Sequence, residues 1–167
     1  MKYDLMVGID PDSVKSGVAC VDKDGRCEVT TLSFSDVCSY LKCIKQKETE
    51  TGTKTLVVVE AGWMNPNNWH LRRGDTLPMA AAKGKSLGRC EQTGRLILEM
   101  AETYGLETLA KKPLQKCWKG KDRKITHEEI KGITGLVTGR TNQEERDALL
   151  LAWVEAGFPV RVKRKTP

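Results

Sequence analysis

Three short apolar runs open the chain, at residues 4–10, 17–22 and 27–33, and their lengths and punctuation predict three β-strands. The second and third are joined by Asp22-Lys23-Asp24-Gly25-Arg26, which has the composition of a hairpin turn. Val37, Cys38, Tyr40, Leu41 and Ile44 then recur at helical spacing. They predict a helix capped by Ser35-Asp36 and running to about Lys47, with a polar linker from Glu48 to Thr53 behind it. Thr55-Leu56-Val57-Val58-Val59-Glu60 is a near-continuous β-branched run, the pattern of a strand buried on both faces. A loop rich in Asn, Gly and Pro, Ala61 to Leu77, leads into a long helix from roughly Pro78 to Tyr104. Its Gly84, Gly88 and Gly94 each cost a helix about 1 kcal/mol against alanine, so either a close backbone approach or tight packing on the sheet is expected there. Leu106 to Ala110 is a fifth strand. Thr126-His127-Glu128-Glu129 opens another helix, Gly132 to Arg140 reads as too glycine-rich to be rigid throughout, and Thr141 or Asn142 caps a last helix, Gln143 to Ala156. The expected product is an α/β domain over residues 1–158 with a basic tail at 159–167.

Two of these strands end on a carboxylate. Pro11 cannot donate to a sheet ladder, so the first strand stops at or just after Asp10, where a buried sheet meets solvent. Taken alone, Asp10 reads as a turn cap or as a metal-holding carboxylate. The strand that ends at Glu60 is separated from the hairpin by a helix, so it is expected to return parallel to the first and to place Glu60 at the same sheet edge as Asp10. In the last helix Glu144 and Asp147 stand three residues apart and share a face. The helix dipole accounts for an acid at Glu144, but Asp147 immediately precedes the apolar run Ala148 to Trp153. If that helix packs near the ends of the first and fourth strands, Asp10, Glu60, Glu144 and Asp147 converge. Two carboxylates 4 Å apart repel by about 4 kcal/mol at an effective dielectric near 20, so such a site must bind cations or protonate. All-oxygen donors suit Mg²⁺, with Mn²⁺ able to substitute, and two such ions about 4 Å apart serve phosphodiester hydrolysis.

Charge supports an anionic partner. The 167 residues carry 28 Lys and Arg against 22 Asp and Glu, a net +6. Lys111, Lys112, Lys116, Lys119, Lys121, Arg123 and Lys124 crowd one segment that holds Asp122 alone among acids, and Arg161, Lys163, Arg164 and Lys165 close the chain. Clustered basic runs favour a polyanion. The cysteines at 20, 27, 38, 43, 90 and 117 include no CxxC pair and no zinc-finger spacing, which predicts reduced thiols and no zinc site. No run approaches a membrane span and the N-terminus does not read as a signal peptide, so no membrane association is expected and the cytoplasm is the expected compartment.

The order of strand Asp, strand Glu and helical acid pair, with Gly8-Ile9-Asp10-Pro11 opening and Glu144-Glu145-Arg146-Asp147-Ala148-Leu149 closing, resembles the RuvC-like Holliday-junction resolvases of the ribonuclease H superfamily. The resemblance covers almost the whole chain. It implies a five-stranded mixed sheet, three antiparallel strands followed by parallel ones, flanked by helices. It also implies a homodimer that nicks four-way DNA junctions symmetrically with Mg²⁺, two ions per site. By position, Asp10, Glu60, Glu144 and Asp147 would be the metal ligands, Lys116 or Lys124 would stabilise developing charge, and Trp63, three residues after Glu60, would stack on junction bases or else pack its own loop. Trp69, Arg72, Arg73, Lys83, Lys85, Arg89, Lys119, Lys121 and Arg123 complete the expected DNA contacts. Two positions depart from the family, Asp12 where glycine is usual and Glu144 where Asp or His is usual. The alternative reading is a nucleic-acid-binding relative that is non-catalytic or acts on RNA/DNA hybrids or other branched DNA.

Overall fold

The structure is a computed structural model and describes residues 2–65, 71–136 and 139–160. Five strands, β1 (Leu5–Asp10), β2 (Ser16–Asp22), β3 (Cys27–Leu32), β4 (Thr55–Glu60) and β5 (Glu107–Lys111), form one sheet in the order β3-β2-β1-β4-β5. β1 to β3 form an antiparallel meander, and β4 and β5 join parallel to β1. This is the expected mixed sheet.

The period of two along each strand sorts the core into two layers. Leu5, Val7 and Ile9 of β1, Val18 of β2 and Val57 and Val59 of β4 face α1 (Phe34–Thr51) and α2 (Leu77–Thr103), meeting Val37, Leu41 and Ile44 of α1 and Ile97 and Ala101 of α2. Met6, Ala19, Val21, Leu56 and Val58 face the other way, onto α4 (Gln143–Glu155) and α3 (His127–Thr134). Ala148 to Trp153 of α4 are all buried. The same alternation sends Asp10, two residues beyond Gly8, and Glu60, two beyond Val58, to the α4 side.

Element ends differ from expectation at three places. α1 is capped by Ser33, whose Oγ accepts the Asp36 amide at 3.3 Å, and not by Ser35-Asp36. It also absorbs most of the expected linker and ends at Gly52, in the left-handed region at φ 72°. Lys45 to Glu48 at 2.6 Å and Gln46 to Glu50 at 2.7 Å support that last stretch as neighbouring pairs on the helix surface, which a purely apolar periodicity does not register. α3 opens on a Thr126/Glu129 capping box and runs through Gly132 to Thr134, so the glycine-rich segment read as not rigid throughout begins as helix and leaves it at Gly135. Of the α2 glycines, Gly94 has the close approach: a Cβ there would lie 2.7 Å from the Trp63 ring and 3.0 Å from Pro11, whereas Gly84 and Gly88 face open space. All six cysteines are free thiols. Among the described residues no helix is long and apolar enough to cross a membrane.

Candidate active site

Two glycines bring the acids together. A Cβ at Gly8 would lie 2.3 Å from the Ala148 carbonyl, and one at Gly17 only 2.0 Å from the Glu144 carbonyl. The backbone of α4 therefore lies directly on β1 and β2, closer than any side chain would permit. Gly17 is the register partner of Asp10 across the β1–β2 ladder, so the first turn of α4 settles over the end of β1. Glu60 enters from β4, one residue past the Ile9–Val59 pair. Asp10, Glu60, Glu144 and Asp147 consequently line a single cavity of about 570 Å³ together with Lys116 and Lys124.

The turn leaves Asp10 free of capping work. Asp12 Oδ1 accepts the Val14 amide at 2.8 Å and the Lys15 amide at 3.4 Å, while the Asp12 amide donates to Ser16 Oγ at 3.2 Å. Asp12 thus makes the turn where the resolvases usually have glycine.

The carboxylates strain against one another. Burial, and then the charges of Glu60 and Asp147, push the Asp10 carboxyl well above the usual carboxylate range. Burial and the charge of Asp147 raise Glu60 to about 7. Asp147 is raised by burial, with the Gln143 hydrogen bond, Lys124 and Lys116 pulling the other way. Lys116 is lowered by burial and by Lys124, and drawn back up by Asp147, Glu60 and Asp10. Lys124 Nζ stands 4.0 Å from Asp147 Oδ2. The cavity drives carboxyls toward protonation and holds two ammonium groups close by, and a cation could offset the remaining repulsion. The donor set is all oxygen, as Mg²⁺ or Mn²⁺ requires. Among the described residues, no three His, Cys, Asp or Glu side chains close round a point as a self-sufficient metal cage. Mg²⁺ does not need one, because it typically takes one or two carboxylates and completes its shell with water and substrate phosphate oxygens.

The basic segment is shaped by a residue that composition alone does not flag. Glu129, 9% exposed, accepts the Lys119 amide at 3.2 Å, the Thr126 amide at 3.1 Å and the Thr126 hydroxyl at 3.0 Å. Around it the chain doubles back, Trp118 N to Arg123 O at 3.1 Å and Gly120 N to Lys124 O at 3.0 Å, with Asp122 and Arg123 in the left-handed region. Lys119, Lys121 and Arg123 end up exposed and Lys124 turns into the cavity. The Thr126-x-x-Glu129 spacing was the available signal for Glu129. Gln143 and Arg146, beside the acids in α4, were likewise missed; the four-residue step from Gln143 to Asp147 was the signal for the first.

Other expected contacts divide. Arg72 and Lys83 line the cavity, Arg72 lying 3.6 Å from Asp122 and Lys83 bonding Asp75 at 2.7 Å. Arg73, Lys85 and Arg89 are exposed and do not line it. Trp63 lines the cavity in a short 3-10 turn, Gly62–Met64, with its ring against Gly94 and under the Arg95 guanidinium at 4.8 Å. That is the packing role set beside the stacking one. Trp69 and the basic residues 161–165 lie outside the described residues.

A mixed sheet of order β3-β2-β1-β4-β5, with helices on both faces and carboxylates at the ends of β1 and β4, is a ribonuclease H-like α/β fold of the RuvC type. Among solved structures, the chain is similar to Thermus thermophilus RuvC in complex with a Holliday junction substrate, at 19% identity over 92% of this chain and 93% of that one, with a TM-score of 0.52. A second Thermus thermophilus RuvC structure matches at 18% identity over 92% and 97%, with a TM-score of 0.49. No protein-family model matches the sequence. No curated protein matches it. At this identity the likeness establishes the RuvC-like fold; what the site does rests on its own residues.

Proposed function

We propose that the chain is a divalent-cation-dependent endonuclease that hydrolyses phosphodiesters in branched DNA, and that four-way junctions are its substrate. The observation that carries this reading is the gathering of Asp10, Glu60, Glu144 and Asp147 in one cavity beneath Lys116 and Lys124. A carboxylate cluster at the end of a sheet repels a nucleic-acid backbone, so a purely electrostatic binder gains nothing from it. Bound there, Mg²⁺ or Mn²⁺ would lower the pKa of the attacking water and screen the leaving oxygen. Asp10 and Glu60, fixed by adjacent parallel strands, and Asp147 and Glu144, fixed by α4, would hold the ions. Lys116 and Lys124 would face the charge that builds on the phosphate. Arg72, Lys83, Lys119, Lys121 and Arg123 would carry the flanking DNA, with phosphate contacts setting affinity and position. Paired nicks on opposite strands need two centres, and these four acids form one, so the active form in this reading is a homodimer.

The exposed cations Lys119, Lys121 and Arg123 support a second reading, a nucleic-acid-binding protein that does not cleave. One experiment separates the two. Four-way junction, flap, duplex and RNA/DNA hybrid substrates are incubated with protein and Mg²⁺ or Mn²⁺. Symmetric nicks near the branch point are expected on the junction, and Asp10→Asn and Asp147→Asn should each lower the rate by several kcal/mol of barrier, about 10³-fold. Cleavage of the hybrid alone removes the junction assignment, and binding without cleavage of any substrate leaves the second reading.

A further inference from the structure

One cavity acid, Asp147, rests on a side-chain relay that the expected chemistry does not use. Arg146, directly before Asp147, points away from the acids. Its Nε donates to the Ile125 carbonyl at 2.9 Å, its Nη1 donates to the Thr141 carbonyl, and its Nη2 donates to Gln143 Oε1 at 2.9 Å. Gln143 Nε2 in turn donates to Asp147 Oδ1 at 2.8 Å. A glutamine amide has two dissimilar ends, one accepting and one donating. A guanidinium only donates, so Arg146 holds the Gln143 oxygen and leaves the amide nitrogen to Asp147. One oxygen of Asp147 is thereby occupied, and Oδ2 is the one left toward Lys124. The same guanidinium grips Ile125, the residue after Lys124, and so sets where that lysine leaves the basic segment.

We infer that Gln143 and Arg146 are positioning residues for the proposed centre: together they select which carboxylate oxygen of Asp147 faces the cavity and fix the lysine opposite it. The inference rests on the nuclease reading above. Outer partners that orient a liganding carboxylate typically account for about 10–100-fold in metal affinity or activity, although they touch neither metal nor substrate.

The test uses the full chain in four versions: wild type, Gln143→Met, Gln143→Glu and Arg146→Lys. Gln143→Met keeps the length and removes both bonds. Gln143→Glu still accepts from Arg146 but has no donor for Asp147. Arg146→Lys keeps the charge and loses the fork, and it is a milder change than Arg146→Ala should that variant fail to fold. Two quantities are read: the Mn²⁺ concentration giving half of the metal-induced rise in melting temperature, without DNA, and kcat and KM on a four-way junction. All three variants are expected to shift the Mn²⁺ midpoint upward and to lower kcat by about 10–100-fold, with KM within about twofold of wild type. If Gln143→Glu restores wild-type behaviour, Gln143 merely anchors Arg146, and the inference is overturned. It is overturned equally if Gln143→Met leaves both the Mn²⁺ midpoint and kcat unchanged, or if the loss lies in KM alone. A wild-type protein with neither a Mn²⁺-dependent shift nor cleavage overturns the nuclease reading, and this inference with it; a working wild type beside unaffected variants overturns this inference only.

Discussion

At the scale of single residues, the cavity acids trade stability for a prepared site. Glu60 titrates near 7 in the folded protein against an ordinary 4.5, chiefly because of burial and then Asp147. Between those values the folded state binds more protons than the unfolded chain, so the stabilising effect of the protonated group is complete below about pH 4.5 and is lost as pH rises through 7. Asp10 and Asp147 are raised too, and act in the same direction. With EDTA present, urea unfolding should show stability falling between pH 5 and pH 8, and Glu60→Gln should reduce that fall by about 1–3 kcal/mol, since the group is largely buried. Equal slopes in the two proteins would contradict the shared-charge picture. Mn²⁺ added at pH 8 should reverse the loss, by about 2.7 kcal/mol at a hundredfold excess over its Kd. Trp63 belongs to this scale as well. Its ring and Pro11, the residue after Asp10, both pack over Gly94, so Trp63→Ala should disturb the turn after Asp10 as well as any stacking on DNA. Trp63→Phe, which retains a ring, should keep more of the melting temperature than Trp63→Ala.

At the scale of elements, the decisive packing is helix backbone on sheet backbone. Gly17→Ala puts a methyl group 2.0 Å from the Glu144 carbonyl, and a main-chain atom has no rotamer by which to move aside. A destabilisation of about 2–3 kcal/mol is expected, with loss of any metal response, because α4 must lift and carry Glu144 and Asp147 away. Gly84→Ala and Gly88→Ala test the same reasoning with the opposite sign. Both sit inside α2 with nothing within 4 Å of the added atom, so each should stabilise by about 0.5–1 kcal/mol in urea unfolding. This contrast also marks how far the sequence could be read. Strand-terminal Asp10 and Glu60 were legible because Pro11 and the β-branched run fix where the strands end and the crossover fixes their sense. The acid pair was legible from helical spacing. Which α2 glycine touches something was not, since three glycines along one helix look alike until Trp63 is found over one of them. The relay through Arg146 was equally hidden: a cation in an acidic first turn reads as solvated, and only the fold shows that it reaches Ile125, some twenty positions earlier. The Ser33 cap was missed because Ser33, Ser35 and Asp36 are all competent caps, and the choice is made by where β3 ends.

At the scale of the whole molecule, charge is divided by depth. Lys119, Lys121 and Arg123 project exposed from the doubled-back segment that Glu129 organises, while Asp10, Glu60, Glu144 and Asp147 line the cavity with Lys116 and Lys124 among them. The two groups of cations should therefore separate experimentally. Exposed rim cations meet phosphates and release counterions, so replacing Lys119, Lys121 and Arg123 together by alanine should weaken binding to four-way junction and plain duplex alike and reduce the slope of log affinity against log salt by about 2–3. Cavity lysines already face carboxylates, so Lys116→Ala or Lys124→Ala should leave that slope nearly unchanged and depress turnover instead. Binding would be measured in Ca²⁺ across a salt series and turnover in Mg²⁺. An unchanged salt slope in the triple variant would mean that the DNA runs elsewhere, over Arg73 before α2 and over the exposed Lys85 and Arg89 of α2. A large slope change in Lys124→Ala would mean that the cavity lysine binds the backbone and takes no part in the chemistry.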